Sequence, residues 1–188
     1  MDFIDSRPSS PGISTPTHTT FSDPFEADPP PYPALISVPP TAGETFIIRD
    51  PQTGLIITLK DGHLCLLPAG QQDGETFGSS SGHPRGHWWR CVRNSGLWLG
   101  FKSAVSGGFI GHDNRQNRWR FIATAREHNW WELFCVRQDP SGGHILLVKH
   151  NNEFRAMRVG GAYDMELVVA GKGEDGTAWE FIKVGYEV

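Results

Sequence analysis

Trp88 and Trp130 each stand immediately before a second tryptophan, in Trp88-Trp89 and Trp130-Trp131. Neighbouring side chains in a strand face opposite ways, so an inward Trp89 or Trp131 sends its predecessor outward. An outward indole offers a flat apolar face to a sugar ring or a protein surface. Arginine supplies the second signal. Residues 85–126 hold Arg85, Arg90, Arg93, Lys102, Arg115, Arg118, Arg120 and Arg126 against Asp113 alone, a local surplus of about +7. Arg115 and Arg118 lie in the polar stretch Asp113-Asn-Arg-Gln-Asn-Arg118, which reads as a loop. With Arg120 they form a basic sector that would steer an acidic partner, whether a protein, a nucleic acid or an anionic lipid surface.

His83, His87 and Cys91 recur every fourth residue, a spacing that would align metal ligands on a helix. Pro84 and Gly86 break any such helix, so no metal site and no cofactor is expected. The sequence lacks a P-loop and HExxH. No catalytic residue is assigned, and the chain reads as a non-enzyme. Cys65 and Cys135 alternate with apolar neighbours and read as buried thiols. There are three cysteines and no CxxC, which reads as free thiols in a reducing, cytoplasmic setting. Pro29-Pro30-Pro31-Tyr32 matches the PPxY ligand pattern of WW domains, with Pro29, Pro30 and Tyr32 as its contacts.

The elements that must position these residues come from the second part of the chain. Residues 1–45 hold 10 of the 14 prolines, six acids and one base. Such a segment cannot bury enough apolar surface to offset its ordering entropy and reads as a disordered acidic tail. Residues 46–188 hold all seven tryptophans and read as one folded domain. A pI near 6.0 argues against a dedicated nucleic-acid binder. No run reaches the roughly 20 apolar residues of a membrane span, and Met1 to Asp5 has no secretory character.

Within 46–188 two anchors keep step through three copies. Gly54 to Lys60, Gly96 to Lys102 and Gly143 to Lys149 share the pattern Gly, five residues, Lys. Trp89-Arg-Cys91, Trp131-Glu-Leu133 and Trp179-Glu-Phe181 follow them at nearly constant distance. Each copy holds four short alternating stretches, the third led by Phe77, Trp119 or Met165. Three four-stranded units of this size predict an all-β fold, a β-trefoil with repeats at about 46–94, 95–138 and 139–188. An irregular β-sandwich is the alternative, but it would not need the threefold spacing. Leu55, Ile57, Leu59, Leu97, Leu99, Phe101, Leu146 and Val148 are expected to line the barrel. Trp89, Trp131, Trp179, Trp119 and Trp98 are expected to pack inward.

Ser106-Gly-Gly-Phe-Ile-Gly-His-Asp113 and Trp131-Glu-Leu-Phe134 resemble the fascin-like, actin-cross-linking group of β-trefoils. Trp179-Glu-Phe-Ile182 echoes the second string. The resemblance implies a trefoil fold and a protein partner such as actin. The Gln-x-Trp repeat of ricin-type lectins is absent. Three readings follow: a protein-binding module acting through the basic sector, a carbohydrate-binding module acting through Trp88 or Trp130, and an adaptor recruiting a WW-domain protein.

Overall fold

The computed structural model describes residues 37–60, 62–68, 86–113, 119–161 and 165–185. Pro29, Pro30, Tyr32, Phe77, His83, Arg115 and Arg118 lie outside the described residues, so their expected roles are not addressed by the structure.

The described residues form twelve strands. They are β1 Thr45–Arg49, β2 Leu55–Lys60, β3 His63–Pro68, β4 Trp89–Arg93, β5 Leu99–Ser103 and β6 Phe109–Asp113. The series continues with β7 Arg120–Ala125, β8 Phe134–Gln138, β9 His144–His150, β10 Glu153–Gly160, β11 Glu166–Val169 and β12 Ala178–Lys183. Among the described residues one 3-10 turn, Trp130–Glu132, precedes β8. Turn residues such as Gly62 at φ 79° and Asn151 at φ 52° divide the strands.

β1, β5 and β9 each pair with three others. The partners are the fourth strand of the repeat before (β12, β4, β8), the second strand of their own repeat (β2, β6, β10) and its fourth strand (β4, β8, β12). First and fourth strands therefore alternate in a closed ring of six, which leaves no exposed edge. The hairpins β2–β3, β6–β7 and β10–β11 extend from that ring, and β7 pairs with β11.

This pairing corrects the expected repeat alignment. Leu55–Lys60 is the second strand of its repeat, whereas Leu99–Ser103 and His144–His150 are first strands. The first strand of repeat one is Thr45–Arg49, which has no Gly-to-Lys signature. Alternation is the same in any half-buried strand, so the pattern matched the wrong member of the hairpin.

The core is built from one cross-strand pair per repeat. Cys91 lies opposite Phe101, Phe134 opposite Val148 and Phe181 opposite Ile48, and all six are fully buried. Phe101 stacks on Phe181 at 5.6 Å and meets Phe134 edge-on at 5.7 Å, joining the three units. Leu146 and Ile57 are also fully buried, and Leu55, Leu59 and Leu99 pack against the cluster, as expected.

Leu97, Trp119 and Trp131 depart from expectation. Leu97 is 73% exposed at φ 66°, in the turn before β5. Trp119 is 37% exposed at φ 42°, just before β7. A left-handed residue breaks the alternation, so Phe121 rather than Trp119 turns inward, fully enclosed among the core aromatics. Trp98 is half-buried and stacks on the exposed ring of Phe154 at 5.5 Å.

Trp131 is shifted by one place. Two residues beyond the core pairs, Trp89 lies opposite Ser103. Continuing the other two registers equally far sets Glu132 opposite His150 and Trp179 opposite Asp50. Glu132 therefore matches Trp89 and Trp179, and Trp131 matches the outward Trp88. The exposed Trp130 matches His87.

Candidate functional site

Asp50, Ser103 and His150 follow the core pairs at the ends of the first strands, and all are buried. Asp50 accepts from the Gln52 amide at 3.0 Å and the Thr53 hydroxyl at 2.7 Å. Ser103 Oγ accepts from the Val105 and Ser106 amides at 3.3 and 3.2 Å. Both residues are spent on holding their turns. His150 forms no such turn, and its buried Nδ1 makes no hydrogen bond among the described residues.

His150 instead belongs to a chain of rings. The Trp119 indole meets it edge-on at 4.5 Å. The His112 ring lies 5.3 Å from that of His150, and Trp131 meets His112 edge-on at 4.4 Å. His112 Nε2 donates to the Lys149 carbonyl at 3.2 Å, which fixes the proton on that nitrogen. The buried imidazoles thus connect two partly exposed indoles.

Glu132 anchors the same region. Its carboxylate accepts from the Asn129 amide at 3.1 Å, closing the 3-10 turn. It fits because residue 111 is glycine: a Cβ there would stand 2.6 Å from Glu132 Oε1. A Cβ on Gly108 would stand 2.1 Å from the Ala123 carbonyl oxygen. Two glycines of the Gly-Phe-Ile-Gly string are thus required by close approach rather than by turn conformation.

Beside this chain lies a cleft of about 270 Å³, lined by Trp119, His150, Arg155, Val169, Gly171 and Lys172 among others. The Val169 amide donates to the Trp119 carbonyl at 2.9 Å and fixes the tryptophan backbone against the wall. Arg155 is held by Glu153 at 2.5 Å, and Lys172 is exposed. Burial lowers the His150 pKa below its ordinary value; nearby Arg155 lowers it further and Glu153 opposes this. The imidazole is therefore neutral at physiological pH and able to donate or accept. An indole wall with donors at its rim suits a hydroxylated ring, whose C–H faces stack and whose hydroxyls bond at the edge.

Of the residues expected to form sites, Trp130 is 64% exposed, but the Lys149 ammonium caps its ring 3.6 Å from the centroid. Trp88 is half-buried and lines a different cleft. Arg120 is ion-paired to Glu166 at 2.7 Å. The structure therefore does not gather Arg120, Trp88 and Trp130 into one place. Cys91 is sealed in the core, where burial pushes its thiol up to about 12. The His87 ring meets Trp88 edge-on at 6.3 Å. Trp119 and His150 were missed: one was read as core by its repeat position, and nothing local marks the other.

No known family pattern matches the sequence, and no curated protein matches it. Solved structures do. The Macrolepiota procera ricin B-like lectin, solved with lactose, is 14% identical at a TM-score of 0.58, covering 78% of this chain and 100% of the lectin. The fold is a β-trefoil. A designed 3-fold symmetric protein, ThreeFoil, is 12% identical at a TM-score of 0.55, covering 74% of this chain and 99% of its own. The β-trefoil of BEL is 15% identical at a TM-score of 0.55, covering 79% and 100%. The likeness to this trefoil set is one of fold.

Proposed function

We propose that the chain is a carbohydrate-binding β-trefoil module and that the Trp119 cleft is its sugar site. The observation that carries this reading is a tryptophan held at φ 42°, with its indole on the wall of a cleft rimmed by His150, Arg155 and Lys172. A non-glycine residue in that backbone region costs on the order of 1–3 kcal/mol, and such strain concentrates at ligand-contact positions. The lactose complex of the fungal lectin supports the ligand class. The lining carries no carboxylate among the described residues, whereas glycoside hydrolysis ordinarily uses two, which favours binding over cleavage. An actin-binding basic sector is not favoured, because Arg120 is already paired with Glu166.

The test is a glycan array followed by titration with the best neutral saccharide, lactose included. Trp119→Ala is expected to weaken binding by roughly tenfold or more, as loss of a buried aromatic contact does. Affinity should change little with salt, because no charge pair carries the contact. A blank array, or unchanged affinity in Trp119→Ala, removes the reading.

A further inference from the structure

We infer that the Trp88 cleft is a second ligand site, selective for a saccharide residue that bears a carboxylate or a sulfate. It shares no lining residue with the Trp119 cleft and stands independently of that proposal. The cleft measures about 460 Å³ and is lined by Trp88, Arg90, Lys102, Ser103, Ser106 and Val184 among others.

Charge placement is the first observation. Arg90 and Lys102 are direct cross-strand partners in the β4–β5 register. Such partners share a face with Cβ atoms about 5 Å apart, where like charges repel and destabilise the sheet. Neither makes an ion pair among the described residues. A third cation, Arg126, donates to the Ser106 carbonyl on the same turn. The neighbouring carboxylate, Glu44, is held by Lys183 at 3.0 Å. The cleft therefore keeps a positive surplus, and a bound anion would turn the repulsion between Arg90 and Lys102 into attraction.

Shape is the second observation. Trp89 and Cys91 face the core, so alternation places Trp88 on the same face as Arg90. The Trp88 carbonyl accepts from the Ala104 amide at 3.0 Å, which ties this wall to the Ser103–Gly107 turn. Ser106 Oγ accepts from the Gly108 amide at 3.1 Å, leaving its hydroxyl proton to donate. An inorganic anion needs neither an indole wall nor this volume. A sugar ring with an acidic substituent uses the indole, the hydroxyl and both cations.

The experiment is an NMR titration of the full chain with glucuronic acid and a sulfated galactose, against glucose, galactose and inorganic sulfate. The acidic sugars are expected to shift the Trp88 indole resonance, to bind at least about tenfold more tightly than their neutral counterparts, and to weaken with salt. Arg90→Gln combined with Lys102→Gln should erase the preference while leaving amide dispersion unchanged. Equal affinity for neutral sugars, no response to either acidic sugar, or full retention of binding in the double variant overturns the proposal. Inorganic sulfate binding as tightly as the sulfated sugar overturns the saccharide assignment. The comparison on the unmodified protein decides the matter even if the variants fail to fold.

Discussion

Glu132 stands opposite His150 in the continued register of β8 and β9, the place that Trp89 shares with Ser103 across β4 and β5. A carboxylate thus fills a position that the other repeats give to a buried indole. Burial raises its pKa above the ordinary 4.5, and the Asn129 amide offsets this only in part. The folded chain then holds the proton more tightly than the unfolded chain, so stability falls as pH rises through the interval between the two values. Glu132→Gln keeps an acceptor for the Asn129 amide without the charge. It is expected to be more stable than the parent at neutral pH, with the difference closing as pH falls to the ordinary carboxylate range. Urea midpoints across that range measure this, and a gap independent of pH would show that ionisation is not its cause.

Histidines act in the opposite direction. Burial lowers the pKa of His87, His128, His144 and His150 below the ordinary 6.5. Here the unfolded chain binds protons first, so stability is lost as pH falls below about 6.5. The melting temperature should decline on mild acidification. His144→Phe should make that decline shallower, since His144 lies edge-on to Phe181 at 5.9 Å and its Nδ1 has no partner among the described residues. An unchanged slope in the variant would assign the acid sensitivity elsewhere.

Trp89 and Trp131, alike by motif, are expected to differ on truncation. Trp89 is fully buried and donates to the Ile57 carbonyl at 2.8 Å. Trp89→Ala should cost about 3–5 kcal/mol, the range for a large core aromatic. Trp131 is 36% exposed and rests on His112. Trp131→Ala should cost less than about 2 kcal/mol. Denaturant unfolding of both variants separates the two positions, and equal losses would contradict the one-place shift.

Leu97 combines left-handed backbone with an exposed side chain. The conformation costs about 1–2 kcal/mol for an L-residue, and glycine there gives back roughly half of that in unfolded-state entropy. Leu97→Gly should therefore raise stability by about 0.5–1 kcal/mol, read as a higher denaturant midpoint at unchanged slope. A lower midpoint would mean that the side chain contributes packing that its exposure does not suggest.

The threefold architecture was legible because burial imposes periodicity: Phe101, Val148, Trp89 and Trp179 had to recur for three units to share one core. Which strand of a hairpin came first was not legible, since Leu55–Lys60 and Leu99–Ser103 alternate alike and only pairing tells them apart. Trp119 was misread because a single positive φ reverses the side that a side chain faces, and a tryptophan gives no local sign of adopting one. His150 could not be singled out, because its significance lies in the turn it fails to form. Trp88, Arg90 and Lys102 were all in view, but the pairing that sets Arg90 opposite Lys102 joins two repeats and is written in neither.

Ser37 bridges Ile182, and the Val38 amide donates to the Phe181 carbonyl at 3.0 Å, so the first and last described segments lie side by side. A ring of three equivalent units has no obligatory first member. A short linker across that junction, with a new opening in the turn at Asn94–Leu97 between β4 and β5, would give a circular permutant in which every strand pairing named above is retained. The order in which the ribosome delivers the three units is thus separable from the barrel that they close.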